Sequence, residues 1–322
     1  MTEDAHLLPT QRTLSGRPVV VALDVGAVMA QVRVVSWETG RVLLDQTWSS
    51  ATWSATPLAY ATDWIVLAVE QALEECEYTV RSDLAAVAIG ALGCEVRTHC
   101  DPLDTSVRSA LGVPTVVVND AELLVPAAGL DSGVGVIVGS SGFAVVTGPG
   151  SPLVGCATWA FSDAGSASAI VREAALTVLA HASRGDEPDP LRTILMASMR
   201  LRTVEELARV LHWDRQALEW GGHATAVFTA ARLGSEDARA LIDTNAQAVA
   251  TLVAQLVARG APVGNVVVAG DLAPEVPELF AGIRRAILAT VPGASVRMLG
   301  VPAVEGAVRL AERSLADEGS YR

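Results

Sequence analysis

Apolar and polar positions divide the chain into short strand-length runs and longer segments of helical period. Val19-Val20-Val21-Ala22-Leu23 is a continuous apolar run with the pattern of a buried strand, and it ends in Asp24-Val25-Gly26. A second apolar stretch, Val32 to Val35, turns through Glu38-Thr39-Gly40 into Val42-Leu43-Leu44, which predicts a three-stranded antiparallel meander. Pro57 then opens a segment in which Leu58, Ala61, Ile65, Ala68 and Ala72 share one helical face. Ala85 to Ile89 predicts a short strand closing on Gly90-Ala91-Leu92-Gly93, and Thr115 to Val118 predicts another that runs into Asn119-Asp120.

The pattern then partly restarts. Gly133 to Val138 reads as a strand, Gly139-Ser140-Ser141-Gly142 as a tight turn, and Phe143 to Thr147 as the returning strand, so that two copies of a hairpin-led α/β unit are expected. Beyond Asp163 the period is mostly helical through Arg259. Its best-defined helix begins at Ser235, carries Ala238, Leu241, Ile242, Asn245, Val249, Leu252, Val253 and Leu256 on one face, and stops at Gly260 with Pro262 beyond. Val266 to Ala269 is a further buried strand reaching Gly270-Asp271, and Pro302 to Ala316 reads as a final helix.

Composition narrows the chemistry. All 23 basic residues among the 322 are arginine. Without lysine there is no Schiff-base or pyridoxal-phosphate enzyme, no P-loop lysine and no protein-kinase strand lysine. Phosphate chemistry, if present, rests on backbone N–H groups, arginine or a metal. A hydrophobic share of 51% against 18% charged supports a large core and argues against disorder. The net charge of −13 argues against nucleic-acid or anionic-membrane partners. The longest apolar runs are strand-length and the first sixteen residues are a polar arm, expected to be flexible, so the chain reads as cytoplasmic with reduced cysteines.

Several residues could carry chemistry. Asp24 ends a strand before a Gly-containing turn, where a carboxylate can hold hydrated Mg²⁺ while turn amides face phosphate oxygens; it serves equally as a plain turn aspartate. Asn119 and Asp120 stand at a strand C-terminal edge, where α/β folds place their ligands, and an ionised Asp120 could take a proton from a hydroxyl attacking a phosphoryl group. The competing reading makes Asn119 and Glu122 a capping box and Asp120 a helix-dipole partner. Gly139 to Gly142 could wrap a phosphate or simply join two strands. Cys94, His99 and Cys100 form a Cys/His cluster that lacks an evident fourth zinc ligand. Trp159, Trp213 and Trp220 could line a sugar site, although packing is the commoner role of tryptophan in helical regions.

In chain order, these segments resemble the N-acetylglucosamine kinase-like group, also called BadF/BadG/BcrA/BcrD-type ATPases, of the sugar kinase, heat-shock ATPase and actin superfamily. The anchors are Leu23-Asp24-Val25-Gly26, Val87 to Gly93, Val118-Asn119-Asp120-Ala121, Gly139-Ser140-Ser141-Gly142, Asp163-Ala164-Gly165-Ser166, Val268-Ala269-Gly270-Asp271 and Pro302 to Ala307. The resemblance implies an α/β fold of two ribonuclease-H-like, actin-like ATPase lobes with ATP and sugar in an interlobe cleft. The N-terminal lobe would span 17–118 and be joined by a C-terminal helix at 303–316, with 119–302 forming the C-terminal lobe. It implies Asp120 as catalytic base and Asp24 as the Mg²⁺ residue, through water. Gly26, Gly139, Ser140, Ser141, Gly142 and Gly270 would lie at the ATP, and Asn119, Gly155, Asp163 and Ser166 at the sugar. A homodimer is implied by the same analogy.

The departures are specific. Ala27 and Val28 stand where the family shows Gly-Thr, and Ser162-Asp163-Ala164-Gly165-Ser166 lacks the glutamate of the usual Gly-Asp-Glu-Gly-Ser. The expected activity is ATP-dependent phosphorylation of N-acetylglucosamine, glucosamine or a related hexose. The alternative is a kinase-derived sensor or regulator that binds sugar or nucleotide without turnover.

Overall fold

The structure, a computed structural model, describes residues 17–94, 97–139, 143–147, 156–157, 165–213, 217–262, 264–270, 272 and 276–319. The expected N-terminal arm lies outside them. The chain divides into two compact units, one of Met1–Asp120 with Ala307–Arg322, the other of Ala121–Gly306.

Unit 1 is built on a five-stranded sheet of β1 (Val19–Val25), β2 (Met29–Ser36), β3 (Val42–Ser49), β4 (Leu84–Ala91) and β5 (Thr115–Val118), in the order β3-β2-β1-β4-β5. The meander is antiparallel, whereas β1, β4 and β5 run parallel. Its register is fixed by burial: β4 is buried at all eight positions, as expected of a central strand covered on both faces. Arg33 on β2 lies opposite Asp45 on β3, and their side chains form an ion pair at 2.6 Å. Helix α1 (Leu58–Glu74) buries Ala61, Ile65, Ala68, Val69, Ala72 and Leu73. Leu58, expected on that face, is exposed because it is the first helical residue after Pro57. Helix α2 (Arg97–Leu111) follows β4 and buries Cys100, Leu103, Val107 and Leu111.

Unit 2 repeats the plan. After a 3₁₀ turn (Asp120–Leu123) and the single-turn helix α3 (Leu124–Ala127), its sheet comprises β6 (Val134–Val138), β7 (Phe143–Thr147), β8 (Cys156–Ala157), β9 (Asn265–Ala269) and β10 (Ser295–Met298). The order is β10-β9-β6-β7-β8, with β6-β7-β8 antiparallel and β6, β9 and β10 parallel. Counted from each unit's first strand, both sheets read third-second-first-fourth-fifth. The restart at Gly133 is therefore a duplicated topology.

The core of unit 2 is mainly helical: α4 (Ala167–Arg184), α5 (Pro190–Ser198), α6 (Val204–Trp213), α7 (Ala224–Arg232), α8 (Glu236–Ala258) and α9 (Pro277–Thr290). Helix α8 starts as expected, with the Ser235 hydroxyl accepting from the Ala238 N–H at 3.0 Å, and Gly260 follows its end at a φ of 102°. By length and composition α8 is apolar enough to cross a membrane. Here Ala238, Ile242, Val249 and Val253 are buried in the core of unit 2. The last helix, α10 (Val304–Gly319), begins two residues after Pro302.

Candidate functional site

In unit 1 the parallel strands β1, β4 and β5 end together, and three expected functional segments end with them. Asp24 pairs in register with Gly90 of β4, which in turn pairs with Val118 of β5, two residues before Asp120. The loop following β1 is closed by the Gly26 N–H donating to the Met29 carbonyl at 3.1 Å. Ser50 holds it from outside: its hydroxyl donates to the Gly26 carbonyl at 2.7 Å and its N–H to the Val28 carbonyl at 2.9 Å. At the loop's tip Val28 is 66% exposed, a β-branched apolar side chain turned to solvent. The neighbouring Leu92 N–H donates to the Val25 carbonyl, which ties the end of β4 to the end of β1.

The electrostatics of this edge are unusual. Burial first, and the nearby Asp120 second, push the Asp24 carboxyl up to about 7. Desolvation penalises the charged form and a like charge does so again. A carboxylate pair of this kind fits a divalent cation, which offsets both costs, and Mg²⁺ is commonly held by one or two carboxylates with water completing its shell. Asn119 is buried at 2% exposure, and Asp120 opens a 3₁₀ turn. That turn runs on into α3, so Asn119 directly precedes the helical stretch, at the position of an N-cap, and Glu122 is buried within its first turn.

Sequence reasoning missed an aromatic cluster at the same edge. The Trp53 indole N–H donates to the Leu92 carbonyl at 2.9 Å, and its ring meets Trp64 edge-on at 5.2 Å between centroids. Tyr60 donates to the Thr52 carbonyl at 2.6 Å, and the Trp64 indole donates to the Thr52 hydroxyl at 3.2 Å. Gly93, at a φ of 95°, brings the end of β4 so close to Ala55 that a side chain there would overlap it. The available signal was Trp53 and Trp64 flanking Thr56-Pro57, a segment read only as a helix start.

In unit 2, Gly139, Ser166 and Gly270 are brought together. The Ala167 N–H donates to the Gly139 carbonyl at 3.1 Å, joining the end of β6 to the start of α4. Ser166 is buried and caps α4 by accepting from the Ala169 N–H at 3.1 Å. Gly270, at a φ of 115°, packs against the backbone of Val138, where any side chain would collide. Gly165 is held from α8: its N–H donates to the Asn245 side-chain oxygen at 2.8 Å, and a Cβ on it would meet Val249 at 2.7 Å. The Asn245 amide in turn donates to Glu173 at 2.8 Å and to the Leu241 carbonyl at 2.9 Å. Ser140, Ser141, Gly142, Gly155, Asp163 and Asp271 lie outside the described residues, as do the side chains of Trp159 and Trp213.

The remaining candidates are structural. Trp220 is packed in the core of unit 2. Cys94 and Cys100 are buried, with the Cys100 thiol donating to the Cys94 carbonyl at 3.3 Å. Among the described residues no group of three His, Cys, Asp or Glu side chains could hold a metal ion.

No protein-family model matches the chain, and no curated protein matches it in sequence. Solved structures match over almost its whole length. A candidate N-acetylglucosamine kinase from Chromobacterium violaceum is 16% identical with a TM-score of 0.68, covering 92% of this chain and 99% of its own. A ROK-family glucokinase from Streptomyces griseus, solved with glucose and AMPPNP, is 20% identical with a TM-score of 0.57, covering 92% and 98%. A ROK-family transcriptional regulator, a homologue of the E. coli MLC protein, is 12% identical with a TM-score of 0.60, covering 93% and 78%. Together with the duplicated five-stranded plan, these similarities show that the chain shares the α/β fold of these kinase structures.

Proposed function

We propose that the protein is an ATP-dependent sugar kinase that phosphorylates a hydroxyl of N-acetylglucosamine, glucosamine or a related hexose. The observation that carries this reading is the Asp24–Asp120 pair at the C-terminal ends of β1 and β5, with the Asp24 carboxyl driven up to about 7 by burial and by Asp120. Asp120 takes the proton of the attacking sugar hydroxyl, which raises the nucleophilicity of its oxygen. Asp24 would hold Mg²⁺, through water, and the ion would supply charge neutralisation on the phosphates. Gly26 lets the first loop close tightly, since a Cβ there would lie 3.2 Å from the Met29 carbonyl, and the loop would present its backbone to a phosphate. Gly139 and Gly270 offer backbone surface at the corresponding edge of unit 2, and in unit 1 Asn119 adds an amide next to Asp120 in the chain. With no lysine in the chain, positioning, metal charge and backbone amides carry phosphoryl transfer.

One observation favours a second reading. Ala27 and the exposed Val28 provide no hydroxyl to a phosphate at the first loop, which fits a kinase-derived sensor that binds sugar or nucleotide without turning it over. Sugar-dependent ADP release across a hexose and hexosamine panel separates the two. The kinase reading expects release with at least one sugar and a loss of about 10³-fold or more in Asp120→Asn. Equal background rates in both proteins, with saturable sugar or ATP·Mg binding by calorimetry, would establish the sensor instead.

A further inference from the structure

Away from the strand ends, unit 2 carries a groove of about 500 Å³ between α7, α8 and α9. Its floor is apolar, made by Phe228 of α7 and Ile242 of α8, both buried, with Ala231 and Ala281 at the sides. Two ion pairs form its walls. Arg232 of α7 binds Glu278 of α9 through two hydrogen bonds, at 2.7 and 3.2 Å, and Arg285 of α9 binds Asp243 of α8 at 2.9 Å. The third arginine, Arg239 of α8, also lines the groove, and among the described residues its guanidinium has no hydrogen-bond or ion-pair partner.

The charge count is asymmetric. Three guanidiniums face two carboxylates, leaving one positive charge over an apolar floor on a chain whose net charge is −13. Both wall pairs tie one helix to another, α7 to α9 and α9 to α8, and both are exposed at the rim. A concavity of a few hundred Å³, apolar with a few convergent polar groups, is the form small-molecule sites take. An arginine kept out of the neighbouring ion pairs is suited to a planar oxyanion.

We propose that this groove is a binding site for a small organic anion with an apolar body, an aryl or branched-alkyl carboxylate or its sulfonate equivalent. Arg239 takes the oxyanion while Ile242, Ala231 and Ala281, with Phe228 packed beneath them, receive the hydrocarbon. A sugar or sugar phosphate is a poor match, because its hydroxyls would be desolvated over the floor without partners. The site is independent of the proposed kinase chemistry, yet it shares α8 with the Asn245 side chain that holds Gly165, one turn beyond Ile242. An occupant is therefore seated against the helix that positions the start of α4.

The test uses 8-anilinonaphthalene-1-sulfonate as the anionic probe and N-phenyl-1-naphthylamine as its uncharged counterpart, read by fluorescence on the full chain, with decanoate as competitor. The expected result is saturable binding of one sulfonate per chain, displaced by decanoate. Affinity should fall about tenfold in Arg239→Gln, as for loss of one charge-assisted hydrogen bond, and binding should disappear in Ala281→Trp, which fills the groove from an exposed helical position. Unchanged thermal melting of both variants would show that they are folded. Equal affinity of wild type and the two variants for the sulfonate, equal binding of the charged and uncharged probes by wild type, or no saturable binding at all would each overturn the proposal.

Discussion

Replacing Asp24 by asparagine removes the most strongly perturbed charge in unit 1. In the folded protein the Asp24 carboxyl is raised from 3.8 to about 7, first by burial and then by Asp120. An acid whose folded value lies above its unfolded value binds its proton more tightly in the native state. Stability is therefore lost as pH rises from about 4 to about 7 and levels off above that. At about 1.4 kcal/mol for each pH unit of that interval, the ionised group costs at most about 4 kcal/mol. Part of the residue's surface still reaches water, and screening brings a working figure of about 2 kcal/mol. For a unit of this size that corresponds to about 5–8 °C in melting temperature. Thermal and urea melts of wild type and Asp24→Asn from pH 4.5 to 9, without metal, should show the asparagine variant gaining on wild type up to pH 7 and holding its lead beyond. Added Mg²⁺ should close the gap by stabilising wild type alone. A gap independent of pH, or one that narrows as pH rises, would refute the electrostatic argument.

Two further substitutions test the framework around the expected site. Asn245→Ala strands the Gly165 N–H and one oxygen of Glu173 within unit 2, and should lower stability by about 2–3 kcal/mol in urea unfolding. Gly306→Ala drives a Cβ into the Leu123 backbone carbonyl and should cost about 3 kcal/mol, whereas Gly264→Ala, which meets nothing, should fall within about 0.5 kcal/mol of wild type by the same measurement.

Strands were the most legible part of the fold, for a physical reason. Val19–Val25, Leu84–Ala91 and Val134–Val138 are buried on both faces, so their apolar runs are continuous and bounded by glycine or aspartate. Helix α8 was equally clear, since a serine cap, an apolar stripe and a terminal glycine agree. Helices α2 and α9 were missed. Pro102 lies inside α2 and reads as a stop, and the apolar stripe of α9, Leu279, Ile283 and Ile287, is interleaved with Ala281, Gly282, Arg284 and Arg285. Strand β10 was too short, at four residues with only Val296 buried, to leave a pattern. At the candidate site, Asp24 and Asp120 were visible because aspartates that end apolar strands stand out. The Trp53–Trp64 pair was not, because its position depends on a loop returning across the ends of β1 and β4, and no periodicity encodes a return.

The division of the chain has a bearing on the order in which the protein can be completed during synthesis. Unit 2 is one uninterrupted stretch, Ala121–Gly306, while unit 1 includes α10, whose residues from Ala307 onward are translated after all of unit 2. A nascent chain can therefore finish unit 2 before unit 1, with β1 to β5 made first but waiting on the ribosome for Ala307, Val308, Leu310 and Ala311, the buried residues of that last helix. The unit that carries Asp24 and Asp120 begins first and closes last.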